Sequence, residues 1–309
     1  MNPKISICIP AYKQADKLQV LFQSIQQQTF RDFEVIVTDD SPTDEVEKLC
    51  QQQSAFDLKY YKNSVAKGSP ENWNIAISLA KGEWIKLIHH DDYFFSNSAL
   101  QEFVNACEGN PLIDYFFCAT NILDSNTNAQ FPYVVNLDHV NRIAEHPAFL
   151  FHRNLIGAPS TGFFKRASNI KYDKNLIWLV DIEYYSQIMF NSKIQFINKA
   201  LITTVISEHQ LSTGLKDNKE VELREFLYCY IKLIDSFNQK NKKIMRTRLL
   251  NLFKEFEILN LSDLKKLNLI SPVPLYAKLV LLFLKVNSSL VYRFFYKLNQ
   301  FNISVSGSR

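Results

Sequence analysis

The chain has 309 residues, 47% of them hydrophobic and 21% charged, with a formal net charge of +4. That length suits one large domain or two with a sizeable core, and only 7 glycines argue against long linkers or disordered tracts. The mild charge falls short of a nucleic-acid binder's basic patch, and five scattered cysteines without a CxxC pair suggest neither a disulfide framework nor a zinc site.

The opening "MNPKISICIPAY" runs straight into a strand and lacks the apolar region and cleavage site of a signal peptide, so a cytoplasmic protein is expected. Strands are predicted at 5–10, 33–40, 58–63 and 83–90, separated by helices at 15–28, 43–53 and 69–80. Leu18, Leu21, Phe22 and Ile25 fall at helical spacing in the first of these helices, and Thr43 or Asp44 is the candidate cap of the second. Strands alternating with helices in this way imply βαβ units and a parallel sheet.

Ligands of such sheets gather outside the carboxyl ends of the strands. The polar residues fall there: Pro10, Ala11 and Tyr12 after the first strand, Asp39 and Asp40 after the second, Asn63 after the third, Asp91 and Asp92 after the fourth. Two adjacent carboxylates at the tip of a buried strand repel each other and resist burial, so a compensating partner is expected. His89 and His90 precede them without a partner at zinc-ligand spacing.

Further on, 98–110 reads as a helix and 114–124 as a strand crossing the sheet. A loop with Gly157, Pro159 and Gly162 precedes a short strand, and 179–190 reads as a helix entered through Asp181. From about 218 onward the chain is helical. The last apolar run, 272–298, is broken by Lys278, Lys285, Arg293 and Lys297, leaving no uncharged stretch near the roughly 20 residues that span a bilayer. Its stripe of Leu275, Leu279, Leu282 and Phe283 beside these cations suits either an interfacial membrane helix or packing on the preceding domain or a second subunit, a homodimer.

"ISICIPAYKQADKLQVLFQSIQQQTFRDFEVIVTDDSPTDE" resembles the opening of glycosyltransferase family 2, nucleotide-sugar-dependent enzymes of GT-A fold. "KGSPENWNIAISLAKGEWIKLIHHDD" continues the resemblance to a DxD-type metal motif, and "LVDIEYY" resembles the segment carrying the catalytic base. The resemblance covers about residues 3 to 215 and is closest to bacterial enzymes that build surface polysaccharides such as lipopolysaccharide or capsule.

It implies an α/β fold, a Rossmann-like, mixed but mostly parallel sheet flanked by helices, with a C-terminal helical extension. The GT-A domain is expected over 1–215, its nucleotide-sugar half 1–100 and acceptor half 101–215, followed by a helical region at 216–309. The implied activity is inverting transfer of a single sugar from a nucleotide-diphosphate donor, a UDP-sugar, to a glycan or lipid-linked acceptor, with Mn²⁺ or Mg²⁺ as cofactor.

By resemblance Asp92 ligates the metal, His209 stands near the metal or diphosphate, and Asp91 faces the ribose or sugar. Asp40 accepts the N3–H of a uracil-like base in a pocket walled by Pro10, Ala11 and Tyr12. Asn74 lies near the nucleotide, Asp181 is the general base with Glu183 as the fallback, and Trp178 and the Gly157–Gly162 loop lie on the acceptor side. The run "DDSPTD" stands where the family commonly carries a DDGS-type run. Alternatives are a catalytically inactive binding or scaffold relative and a sugar nucleotidyltransferase, the latter lacking its usual Gly-rich phosphate loop here. No GxGxxG supports a nicotinamide enzyme.

Overall fold

Seven consecutive buried residues in Ile5–Ala11 (β1), and again in Phe33–Asp39 (β2), are the mark of parallel strands covered on both faces. In the computed structural model, which describes residues 2–167, 170–207, 218–267, 273–284 and 288–299, these two strands pair in parallel. Leu58–Lys62 (β3) lies outside β2 and Trp84–Leu87 (β4) on the other side of β1, both parallel. The remaining strands are Tyr93–Phe94 (β5), Tyr115–Asp124 (β6), Gln130–Tyr133 (β7), Gly162–Lys165 (β8) and Ile194–Ile206 (β9). The sheet order is β3-β2-β1-β4-β8-β6-β9-β5, with β7 on β6. β8 runs antiparallel between β4 and β6, which makes the sheet mixed.

Helices Ala15–Gln26 (α1), Glu45–Gln52 (α2), Ser69–Leu79 (α3) and Ala99–Gly109 (α4) flank the sheet. Leu18, Leu21, Phe22 and Ile25 of α1 and Phe103 and Val104 of α4 join Ile5, Ile7 and Ile9 in one core. Cys8, on the opposite face of β1, reaches the Ala76 carbonyl of α3. Trp84 stacks on Phe163 with centroids 5.0 Å apart, closing the β4–β8 seam.

The strand expected at 83–90 ends at Leu87, because the chain turns at His89 to bury Asp92. Helix α2 begins at Glu45 without a side-chain cap from Asp44. The long strand β9, the helix Leu137–Glu145 (α5) and β7 add to the elements read from the sequence.

The chain divides into two compact units, Met1–Ala144 with Leu155–Gly214, and Glu145–Asn154 with Leu215–Arg309. The first contains the sheet and the helix Val180–Asn191 (α6). The second contains Lys219–Leu233 (α7), Gln239–Glu255 (α8), Leu261–Lys266 (α9), Leu275–Leu284 (α10) and Ser288–Asn299 (α11). Asn218, Asn238 and Asn260 cap α7, α8 and α9 through their side-chain oxygens. The 3₁₀ turn Pro147–Phe151 joins this unit: the Ala148 N–H donates to Asn241 Oδ1 at 3.0 Å and Phe151 meets Phe226 edge to face. Within the apolar run at 272–298 the described residues form the two helices α10 and α11, packed through Phe283, Tyr276 and Phe295. No helix among the described residues is long and apolar enough to cross a membrane.

Candidate active site

The carboxyl ends of β1, β2 and β4 carry most of the polar residues singled out in the sequence. At β2, Asp39 is fully buried and satisfied within the protein. Its Oδ1 accepts the Ser41 N–H at 2.7 Å, and its Oδ2 accepts the Tyr60 hydroxyl and the Lys62 ammonium, each at 2.8 Å.

Asp40 is engaged as well. Its Oδ1 accepts the Asn63 amide at 2.7 Å, and its Oδ2 accepts the backbone N–H groups of Lys67 and Gly68 at 3.0 and 2.9 Å. Gly68 has φ +83°, a conformation that favours glycine, so the carboxylate and the glycine together fix the 63–68 loop. A carboxylate offers about four acceptor positions, which leaves Asp40 room for one more donor. Asn72 completes this side, bonding the Thr38 carbonyl and accepting from Asn63.

Ser41, where the family favours glycine, needs no positive φ. Its hydroxyl instead accepts the Lys13 N–H at 2.6 Å, and Lys13 and Gln14 take positive φ values of 56° and 50°. Pro10 and Ala11 are buried, and Tyr12, 47% exposed, is the side chain of that trio that reaches the surface.

At β4, His89, Asp91 and Asp92 bring ligand atoms within 4.8 Å of one another. Asp92 is 2% exposed; burial, and then the charge of Asp91, hold its carboxyl well above the usual range, against hydrogen bonds from Ser160 and the Val205 N–H. Burial keeps the His89 imidazole neutral, and its Nε2 is buried without a protein hydrogen-bond partner. A neutral imidazole nitrogen and two crowded carboxylates fit a divalent cation, which supplies the positive charge that burial denies them.

Sequence spacing placed His89 in no ligand set, and the cluster includes it because the chain turns after Leu87. His90 faces the other way, its Nδ1 3.3 Å from the Pro10 carbonyl. His209 lies outside the described residues.

Two residues that support the cluster went unread in the sequence. Ser160, fully buried in the loop before β8, accepts the His89 N–H on its hydroxyl at 3.0 Å and hydrogen-bonds Asp92. Lys86, also fully buried, donates to the Ser160 and Gly162 carbonyls, and burial lowers its pKa to about 8.

Aromatic rings connect this cluster to α6. His89 lies 4.7 Å from Trp73, Trp73 lies 5.0 Å from Tyr172, and Tyr172 stacks on Tyr184 at 3.8 Å. Asn74 holds the Tyr172 backbone at both ends, donating to its carbonyl at 2.8 Å and accepting its N–H at 3.0 Å. Its amide therefore positions the aromatic chain.

Asp181 lies in the first turn of α6, one residue past the helix start rather than at the cap. It is half-buried, and its charge acts on Tyr172, Tyr115 and Tyr185. Glu183, two residues on, is fully buried, and its Oε1 accepts from the Gln187 amide. Trp178 is half-buried just before the helix.

The sequence matches Glycosyl transferase family 2 over residues 6–172, more than half of the chain, and the chain belongs to that family. An uncharacterized glycosyltransferase of Haemophilus influenzae is 28% identical over 113 residues, 37% of this chain and 37% of the relative. The GalNAc(5)-diNAcBac-PP-undecaprenol beta-1,3-glucosyltransferase of Campylobacter jejuni is 32% identical over 110 residues, 35% of this chain and 36% of the relative. These alignments span little more than a third of either relative. The structure of S. aureus TarS 1-349 in complex with UDP-GlcNAc is similar with a TM-score of 0.67 at 18% identity, covering 97% of this chain and 93% of that one. The fold is GT-A.

Proposed function

We propose that this protein is an inverting glycosyltransferase that moves a single sugar from a nucleotide-diphosphate donor, a UDP-sugar, to a lipid-linked saccharide of a surface polysaccharide. The observation that carries this reading is the His89–Asp91–Asp92 cluster at the carboxyl end of β4, on the sheet edge where the parallel strand β2 ends in Asp40. The nucleobase lies against Tyr12, with the remaining acceptor position of Asp40 taking its N3–H. Asp91 and Asp92, with His89, would hold Mn²⁺ or Mg²⁺, which when bound neutralises the charge growing on the leaving diphosphate.

Asp181 accepts the proton of the acceptor hydroxyl as that oxygen bonds to the anomeric carbon from the face opposite the diphosphate, whose bond to the sugar breaks. Its place in the first turn of α6, beside the ring chain that begins at His89, supports this role. The lipid-linked substrate in the Campylobacter relative's name supports the acceptor class and peripheral contact of the C-terminal helices with the membrane.

Calorimetry of UDP binding, with and without Mn²⁺, tests the reading. Wild-type protein is expected to bind UDP more tightly with the ion, and Asp92→Ala to lose that dependence. Equal metal dependence in the variant would overturn the assignment. A screen of nucleotide sugars for Mn²⁺-dependent hydrolysis then identifies the donor.

A further inference from the structure

The helical unit contains a cleft of about 470 Å³ between α7, α8 and the start of α10. Lys242 and Arg246, one turn apart on α8, supply its cations, and the exposed Asp235 also lines it, so the cations outnumber the one carboxylate. The Arg246 guanidinium lies 5.0 Å from the Tyr276 ring and hydrogen-bonds Tyr230, yet its Nε is buried without a hydrogen-bond partner. An arginine carries five donors in a fork suited to phosphate oxygens, so Arg246 has binding capacity to spare. The rest of the lining is apolar, chiefly Ile231, Ile234, Leu275 and Leu279.

Leu275 and Leu279 also begin an exposed apolar face. Leu275, Leu282 and Phe283 of α10 are 73, 60 and 55% exposed, and Leu290, Phe294 and Leu298 of α11 repeat every fourth residue at 55 to 65%. After Asp263 the sequence has no Asp or Glu and seven Lys and Arg, and Lys278, Arg293 and Lys297 are exposed beside the apolar face. A second copy docking on this face would set like charges against each other. An anionic bilayer offers both the apolar phase and the opposite charge.

We propose that the helical unit docks on an anionic membrane and that Lys242 and Arg246 hold the phosphate headgroup of one lipid in this cleft, its chains running along Leu275 and Leu279. The inference rests on the lipid-linked acceptor reading, and it adds a lipid-phosphate site in the helical unit, built from other residues than those proposed for sugar transfer.

Vesicle flotation tests it, with phosphatidylcholine alone, with added phosphatidylserine, and with added phosphatidate, whose phosphate monoester is open to a guanidinium. Wild-type protein is expected to prefer phosphatidate to phosphatidylserine. Lys242→Gln with Arg246→Gln should lose about tenfold or more in affinity for phosphatidate vesicles, falling to the phosphatidylserine level. Leu279→Ser, Leu282→Ser and Phe294→Ser together should abolish binding to both. If the double variant melts early, Lys242→Gln alone gives the same readout at smaller amplitude.

Unchanged affinity in the double variant overturns the headgroup site. Thermal stabilisation by inorganic phosphate without vesicle binding points to a soluble phosphoryl ligand and overturns the lipid. A dimer that the triple variant dissolves, again without vesicle binding, assigns the face to a second copy and also overturns the proposal. Sugar transfer to a water-soluble acceptor should persist in every variant, so a wild-type protein that transfers sugar but binds none of the vesicles sinks only this inference.

Discussion

Replacing Ser160 with alanine isolates the support beneath the proposed metal site. The hydroxyl accepts the His89 N–H at 3.0 Å and hydrogen-bonds Asp92, in a residue with no exposed surface. Alanine keeps the backbone carbonyl that Lys86 bonds, so the perturbation is confined to that one oxygen. The orphaned His89 N–H is buried, and a buried donor without a partner costs about 1–3 kcal/mol, which sets the expected loss of stability.

Asp92 loses a hydrogen bond that favours its charged form, the form that ligates a cation. Removal of such outer partners typically weakens metal affinity about 10–100-fold. Titration of Mn²⁺ followed by the electron-spin signal of the free ion measures this, and urea melts of metal-free protein measure the stability term separately. If the variant loses stability but binds Mn²⁺ as wild type does, Ser160 packs the loop and does not position the carboxylate, and the reasoning fails.

Asp181→Asn should keep donor binding by calorimetry while turnover falls about 10²–10⁴-fold, because an amide cannot accept the acceptor's proton; near-normal turnover would move the base elsewhere. Lys86 has its pKa lowered by burial to about 8 from 10.5, so between those values the unfolded chain holds a proton that the folded one has released, and stability rises with pH across that window. The rise amounts to about 3 kcal/mol in all, and urea melts should find it in wild type and not in Lys86→Met. Gly82→Ala places a Cβ 2.5 Å from the Ser6 backbone nitrogen and 2.7 Å from the Ile5 carbonyl carbon, within the central strand β1. Calorimetric melting should report a loss of roughly 3 kcal/mol, and an unchanged melt would mean that β1 shifts to admit the methyl.

The first hundred residues were legible because their signals are local. Strands buried on both faces make unbroken apolar runs, and the polar residues that close them sit at fixed places along the chain. β9 was missed because its first seven residues alternate without a rule, none of them fully buried, and its pairing with β6 shifts register near Ala119. Lys86 stands in "EWIKLIHH" as one polar residue among apolar ones, and nothing local marks it as buried, since a lysine is ordinarily at the surface. Its carbonyl partners lie 74 and 76 residues away, in a loop whose sequence shows only turn residues. Ser160 is invisible for the same reason, its partner lying 71 residues away.

The two aspartate pairs look alike in sequence and differ in what neutralises them. At β2 the protein brings its own donors: Lys62 reaches Asp39 at 2.8 Å, and two backbone N–H groups and an amide reach Asp40. At β4 the buried cation is Lys86, and its hydrogen bonds go to the Ser160 and Gly162 carbonyls. Asp92 therefore stays buried next to Asp91 with its carboxyl held toward the neutral form, while a neutral imidazole with an unpartnered Nε2 faces inward nearby. On the reading proposed above, a divalent cation arriving with its diphosphate would offset the cost of burying Asp92 beside Asp91.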